Sequence, residues 1–322
     1  MSPRCNYGST INYTELGPGT GSLIKDVLET VGIIGPAFFG KTPNVSANLV
    51  EISERFIAEQ ENKLCGSTSD NLIKPETIFK NQNYLSRPSL YNSNVNWFSL
   101  LEYVPPQQSV YICNEFFDAL PVQQFELTEQ GWNEILVDVN EEDKLSLVRY
   151  KTPSADQLSV QDYYMSKAVG TQIETSRNSG RIVRDIAARI AESGGVALII
   201  DYGEKESTDL TFRAFKDHQQ VDPFEDLGLC DLTADVDFGF LQREAETIDG
   251  IQAYGPITQS SFLTLMGIGE RFKQLYSIVP EEQQEKVIAA HDFLCSPDEM
   301  GDRFKVMCIC RKEDPVPLCF ES

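Results

Sequence analysis

The sequence predicts a doubly wound α/β fold with a mainly parallel sheet, and three stretches carry that prediction. Ile11 to Val31 reads as strand, glycine turn, then helix. Val110 to Cys113 is a short apolar strand that stops at Asn114-Glu115. Val196 to Ile200 is a continuous apolar run ending at Asp201, the pattern of a strand buried on both faces. Open α/β sheets gather their chemistry at the carboxyl ends of the strands, where these stretches place their polar residues.

In the first stretch Gly17, Gly19 and Gly21 stand two apart. Each frees the backbone for positive φ or for close approach by a ligand. Ser22 reads as the helix cap, and Leu23, Ile24, Val27, Leu28 and Val31 recur at helical spacing. Such a turn aims backbone amides at whatever lies above it, which suits a nucleoside-type cofactor. In the dinucleotide fingerprint the third glycine would fall at Ser22. With Glu15 in front, the pattern is instead [Asp/Glu]-x-Gly-x-Gly-x-Gly, which resembles the S-adenosylmethionine loop of class I methyltransferases. Glu15, Gly17, Gly19 and Gly21 are therefore cofactor candidates, with an ordinary tight turn as the alternative.

Farther along, Gly32 to Pro43 reads as a loop and Asn48 to Ile52 as a second strand. Glu51, at its tip, is placed to hydrogen-bond ribose hydroxyls or else to cap the helix Ser53 to Leu64. The polar stretch 65–93 reads as loop. Val95 to Leu100 reads as a third strand, with Trp97 and Phe98 either stacking on adenine or filling the core. After the fourth strand, Val110 to Cys113, come Asn114, Glu115, two phenylalanines and Asp118. Asn114 and Glu115 can orient a polar substrate group or the amino end of the cofactor. Asp118 lies one helical turn beyond Glu115, and paired carboxylates can hold a guanidinium. Asp118 on a plain surface is the alternative.

Val122 to Leu127, Trp132 to Val139 and Leu145 to Tyr150 alternate as antiparallel strands. They make 122–170 a β-rich insertion in a single domain of residues 1–322. Gln172 to Glu192 reads as a long helix. Asp201 either lines the substrate pocket or makes a turn. Asp222, Asp231, Asp235 and Asp237 could bind a metal, but loop solvation and helix capping at Asp237 explain them more simply. Pro256 to Tyr276 and Glu281 to Phe293 read as helices, and Phe304 to Cys310 as the closing strand.

Composition narrows the partners. Against 49 acidic residues stand 27 Lys and Arg, a net charge of −22, which repels nucleic acid. No run of 18 apolar residues occurs that would span a membrane. Eight scattered cysteines and two histidines, His218 and His291, do not make a zinc site or a histidine triad. Free thiols in a reducing compartment fit best; Cys308 and Cys310 should face one side of a strand.

The blocks ELGPGTGSL, NEFFDALPVQQFE, GGVALIIDYGE, DLTADVDF, GPITQSSFLTLMGIGERF and MGDRFKV are similar, in order, to the MidA family of class I methyltransferases. The resemblance runs from about Thr14 to Lys312. It implies a Rossmann-like, mainly parallel seven-stranded sheet and S-adenosyl-L-methionine as methyl donor. It further implies methylation of an arginine on a complex I subunit during complex I assembly. Glu115, Asp118 and Asp201 are then the catalytic candidates. Glu15, Gly17, Gly19, Gly21, Glu51, Trp97 and Asn114 are those for the cofactor. Mitochondrial residence follows from the resemblance alone, with the cytoplasm as alternative, since no presequence is visible. Departures are Thr20 where the family usually has Arg, and Gln123 where His is common. The family's Gly-Asp-Phe-x-Thr-Ser-Pro-Glu block also has no counterpart, so weakened binding is expected if that block closes the pocket. A non-catalytic assembly chaperone and a small-molecule methyltransferase are the rival functions.

Overall fold

The computed structural model describes residues 10–66, 84–91, 93–149, 167–206, 209–217 and 219–321. Cys5, His218, most of the 65–93 stretch and 150–166 of the insertion lie outside the described residues.

The first strands are β1 (Thr10–Leu16), β2 (Asn44–Val50), β3 (Tyr84–Pro88), β4 (Asn94–Phe98) and β5 (Ser109–Asn114). Next come β6 (Gln123–Thr128), β7 (Gly131–Val139), β8 (Leu145–Arg149), β9 (Gln172–Thr175) and β10 (Gly195–Glu204). The last are β11 (Arg213–Lys216), β12 (Gln219–Val221), β13 (Asp231–Thr233), β14 (Val236–Asp237), β15 (Ile251–Thr258) and β16 (Phe304–Arg311). The helices are α1 (Ser22–Phe39), α2 (Glu54–Cys65), α3 (Arg177–Ser193), α4 (Phe238–Glu246), α5 (Gln259–Leu265), α6 (Ile268–Ile278) and α7 (Glu281–Cys295).

The central sheet runs β15-β16-β10-β5-β1-β2-β4-β3. From β10 to β4 all neighbours pair in parallel, and β16 is antiparallel to both β10 and β15. These seven strands form the expected class I sheet. The antiparallel edge strand β3 and the short β14, which pairs with β10, are additions. Apolar residues cover both faces. One core gathers Leu16, Tyr111 and Ile199 under α3 and α4; the other gathers Tyr13, Leu49 and Trp97 under α1 and α2. Cys308 and Cys310 are buried free thiols on β16.

Five local expectations are corrected. The first helix continues through Gly32, Gly35 and Pro36 to Phe39 instead of yielding to a loop. A Cβ on Gly35 would lie 2.6 Å from the Pro43 ring, so glycine lets the helix lie against the chain entering β2. Its cap is Gly21, at φ 72°, and Ser22 forms no capping bond. The polar stretch before β4 contains β3, an edge strand held by backbone pairing. Gln172 to Thr175 is not helical: it pairs with β6, and Ser176 starts α3 by accepting the Ser179 amide. The insertion is thus a four-stranded sheet, β8-β7-β6-β9, that reaches past 170. Finally, the helix expected from Pro256 is strand to Thr258, and Gly267 at φ 87° divides α5 from α6. That torsion favours glycine and ends a right-handed helix.

Candidate active site

The glycine turn closes over the carboxyl ends of β1 and β2. Gly17, Gly19 and Gly21 have φ of 66°, 52° and 72°, all left-handed. The Gly17 amide donates to the Val50 carbonyl at 3.0 Å, tying the turn to the next strand. A Cβ on Gly17 would lie 2.8 Å from the Phe116 ring, and one on Gly21 3.0 Å from Gln60. At Gly19 a Cβ would meet nothing within 4 Å. The turn is therefore braced at both ends and open in the middle.

A cavity of about 520 Å³ adjoins this turn, within the size range of cofactor pockets. Leu16, Gly17, Val50, Glu51 and Ile52 form one side; Ser99 to Glu102, Phe116, Leu120 and Pro121 form another. Asn178, Arg181, Ile182 and Asp185 of α3 complete it. Glu51 is 8% exposed. Its Oε1 accepts the amides of Ile52 (2.9 Å) and Ser53 (2.8 Å), while Oε2 has only a 3.5 Å contact from Gln60. It therefore braces the turn into α2, whose cap is Ser53, and still offers an oxygen to the cavity.

Gln60 links three expected site elements. Its Nε2 donates to the Gly19 carbonyl at 2.6 Å, and its Oε1 accepts from Trp97 Nε1 at 2.8 Å. Trp97 itself is 1% exposed, a core residue, and does not line the cavity. The expected adenine stacking is corrected accordingly: in a parallel strand covered on both faces, Trp97 reaches the site only through Gln60. Glu15 is also buried, with Tyr13 Oη donating to Oε2 at 2.8 Å. Burial pushes its carboxyl up to about 7, and the tyrosine hydrogen bond opposes that rise.

At the end of β5, Asn114 stands next to Glu115 and opposes the rise in its pKa. Glu115 sits at φ 48°, unusual for a residue with a side chain, and its amide donates to the Ile200 carbonyl at 2.9 Å. Glu115 is exposed, yet desolvation of its carboxyl and the neighbouring Asp118 charge raise its pKa. The segment from Glu115 to Leu120 is a turn and not the helical turn expected, yet the two carboxylates remain in electrostatic reach. Asp118 Oδ2 accepts from Tyr202 Oη at 2.5 Å and Thr233 Oγ1 at 2.9 Å. Arg213 and Arg303 stand over the Tyr202 ring, at 5.2 and 5.5 Å from its centroid.

Asp201 does not line the cavity. It is 0% exposed, and Oδ2 accepts the amides of Phe116, Phe117 and Asp118 at 3.2, 3.0 and 3.3 Å. Burial and the Asp118 charge raise its pKa, against those backbone hydrogen bonds. It is a positioning residue that shapes the 116–118 turn. Asp237 caps α4 by accepting the Phe240 amide at 2.7 Å, and Asp235 pairs with Arg213 at 2.7 Å. Among the described residues, no group of three or more His, Cys, Asp and Glu side chains is arranged to hold a metal ion.

The α3 wall and the Ser99–Glu102 turn line the cavity and were missed by sequence reasoning. Asn178, Arg181 and Asp185 lie off the apolar stripe of α3, and nothing in their spacing marks them.

The sequence model of the family described as "Putative S-adenosyl-L-methionine-dependent methyltransferase" matches residues 2–257. The chain belongs to that family. Its cofactor, S-adenosylmethionine, fits the open middle of the glycine turn and the acceptor oxygen of Glu51. Among relatives of this methyltransferase is "Protein arginine methyltransferase NDUFAF7, mitochondrial" from Danio rerio, 37% identical over 297 residues. That match spans 92% of this chain and 68% of the relative. Two crystal structures of COG1565 superfamily proteins from Burkholderia thailandensis share the fold. One is 25% identical with a TM-score of 0.73, covering 97% of this chain and 77% of that one. The other, bound to S-adenosyl-homocysteine, is 23% identical with a TM-score of 0.72, covering 97% and 74%.

Proposed function

We propose that this methyltransferase is a protein-arginine N-methyltransferase that acts in mitochondria on a complex I subunit during complex I assembly. The observation that carries the arginine assignment is the carboxylate pair Glu115 and Asp118 beside the cofactor cavity. The name of the Danio rerio relative supports both the arginine target and the mitochondrial setting over the cytoplasm. The complex I role rests on the family resemblance of the sequence blocks.

Gly17, Gly19 and Gly21 cradle the cofactor and Glu51 takes its ribose hydroxyls, while Glu15, buried behind the turn, and Asn114, at the end of β5, support the site from outside the cavity lining. Bound S-adenosylmethionine supplies an electrophilic methyl group on a sulfonium. The chain contributes alignment, which is most of what such a displacement requires. Asp118 holds the guanidinium, with Tyr202 and Thr233 fixing its second oxygen. A Glu115 carboxylate oxygen would take the proton that the guanidinium nitrogen gives up on methylation. The raised pKa of Glu115 makes it a better acceptor than an ordinary carboxylate. Asp201 keeps the turn that carries both carboxylates in place.

The test is Glu115→Gln with radiolabelled S-adenosylmethionine and a mitochondrial extract as methyl acceptor. Binding of the cofactor should persist while arginine methylation falls by about 10²-fold or more. Undiminished methylation would remove Glu115 from the reaction. No methylation by the unaltered chain would favour an assembly chaperone.

A further inference from the structure

A second cavity, of about 300 Å³, lies between the 118–122 segment, the insertion strands β6 to β8 and the end of β13. Leu120 and Pro121 line both this cavity and the cofactor cavity, so one layer of chain separates them. Its walls are mostly apolar, with Ile135, Val137 and Leu147 from the insertion, and carry the uncharged polar residues Gln124 and Thr233. Among the described residues, Asp118 is the one charged residue of its lining.

Two lining residues carry an unused acceptor. Asp118 Oδ1 and Gln124 Oε1 are both buried without a hydrogen-bond partner. Their other polar atoms are taken: Asp118 Oδ2 by Tyr202 and Thr233, and Gln124 Nε2 by Glu174 Oε1 at 2.7 Å. Buried acceptors are almost always satisfied, so two orphans at one cavity call for an external donor. An ammonium has three donors around a point; a guanidinium has five in a planar fork, which reaches two separate acceptors at once.

We propose that this cavity is the entry site for the substrate arginine. Its aliphatic stem lies against Val137 and Leu147 of the insertion, and its guanidinium reaches Asp118 Oδ1 and Gln124 Oε1. The insertion is thus the substrate-selecting element of the molecule. This assignment rests on the reading of the chain as an arginine methyltransferase and adds to it the route by which the arginine arrives.

The probe is butylguanidinium, a guanidinium on a plain aliphatic stem, titrated with detection by saturation-transfer NMR in the presence of S-adenosyl-homocysteine. Pentylammonium serves as the comparison. Leu147 is half exposed, so Leu147→Trp fills the cavity without disturbing the core. Butylguanidinium should bind the unaltered chain better than pentylammonium. Leu147→Trp and Asp118→Asn should each weaken it about tenfold, and Leu147→Trp should bind S-adenosyl-homocysteine as before. No binding of butylguanidinium, equal binding of the two cations, or unchanged binding by Leu147→Trp would each overturn the assignment. If butylguanidinium behaves as expected while no methyl reaches arginine in any protein, the cavity assignment stands and the enzymatic reading falls.

Discussion

The Asp201 carboxylate on β10 accepts the backbone amide of Phe117 at 3.0 Å, tying β10 to the turn just beyond the carboxyl end of the adjacent parallel strand β5. The same oxygen also takes the amides of Phe116 and Asp118. This buried carboxyl folds the turn that bears Glu115 and Asp118.

Asp201→Asn replaces one acceptor oxygen with a donor facing backbone N–H groups. Stability to urea should fall by about 2 kcal/mol, the scale of a lost hydrogen bond to a charged group. Turnover should fall more than the cofactor KM changes, because the carboxylates lose their alignment while Glu51 and the glycine turn remain. Normal turnover at normal stability would show that the turn holds its shape without Asp201.

Glu15 sets a pH dependence. Its folded pKa of about 7 lies above the ordinary 4.5, so the folded state binds more protons than the unfolded chain between these values. Stability from this group is full below pH 4.5 and is lost as pH rises through 7. The loss is about 3 kcal/mol at most. Glu15→Gln, which mimics the protonated acid, should therefore match the unaltered chain at pH 4 and exceed it at pH 8 in urea unfolding. Equal differences at both pH values would contradict this.

The glycine turn predicts two different failures. Ala at position 17 meets both a left-handed φ and the Phe116 ring, so it should lower stability and abolish cofactor binding together. Ala at position 19 meets only the φ cost, about 1–2 kcal/mol, with open space beyond its Cβ. Gly19→Ala should stay folded and lose cofactor affinity, because its methyl group occupies the cradle. Differential scanning fluorimetry beside a binding titration separates the two.

The parts of the fold legible in sequence were those whose side chains repeat with burial. The apolar strand Val196 to Ile200 and the glycine turn announced a mainly parallel sheet. What was hidden depended on backbone partners. Tyr84 to Pro88 is held at the sheet edge by main-chain pairing, which leaves a polar sequence free to form it. Gln172 to Thr175 looked helical until β6 supplied a strand to pair with. In the site, Glu51 and the residues after β5 were marked by position at strand ends. Trp97 and Asp201 were marked by the same rule but turn inward, and the face of a residue at a doubly covered sheet is decided by packing. The α3 wall gave no signal because Arg181 and Asp185 resemble any solvated helix face.

The most direct measurement is a calorimetric titration of S-adenosylmethionine into this chain, repeated with Glu51→Gln. Glutamine keeps an oxygen for the Ile52 and Ser53 amides, so the fold should be preserved. The cavity geometry predicts micromolar binding to the unaltered chain. It predicts a loss of about 10- to 100-fold in the variant, as for hydrogen bonds to a charged acceptor. Absence of binding, or equal binding by Glu51→Gln, would contradict the cofactor site at the ends of β1 and β2.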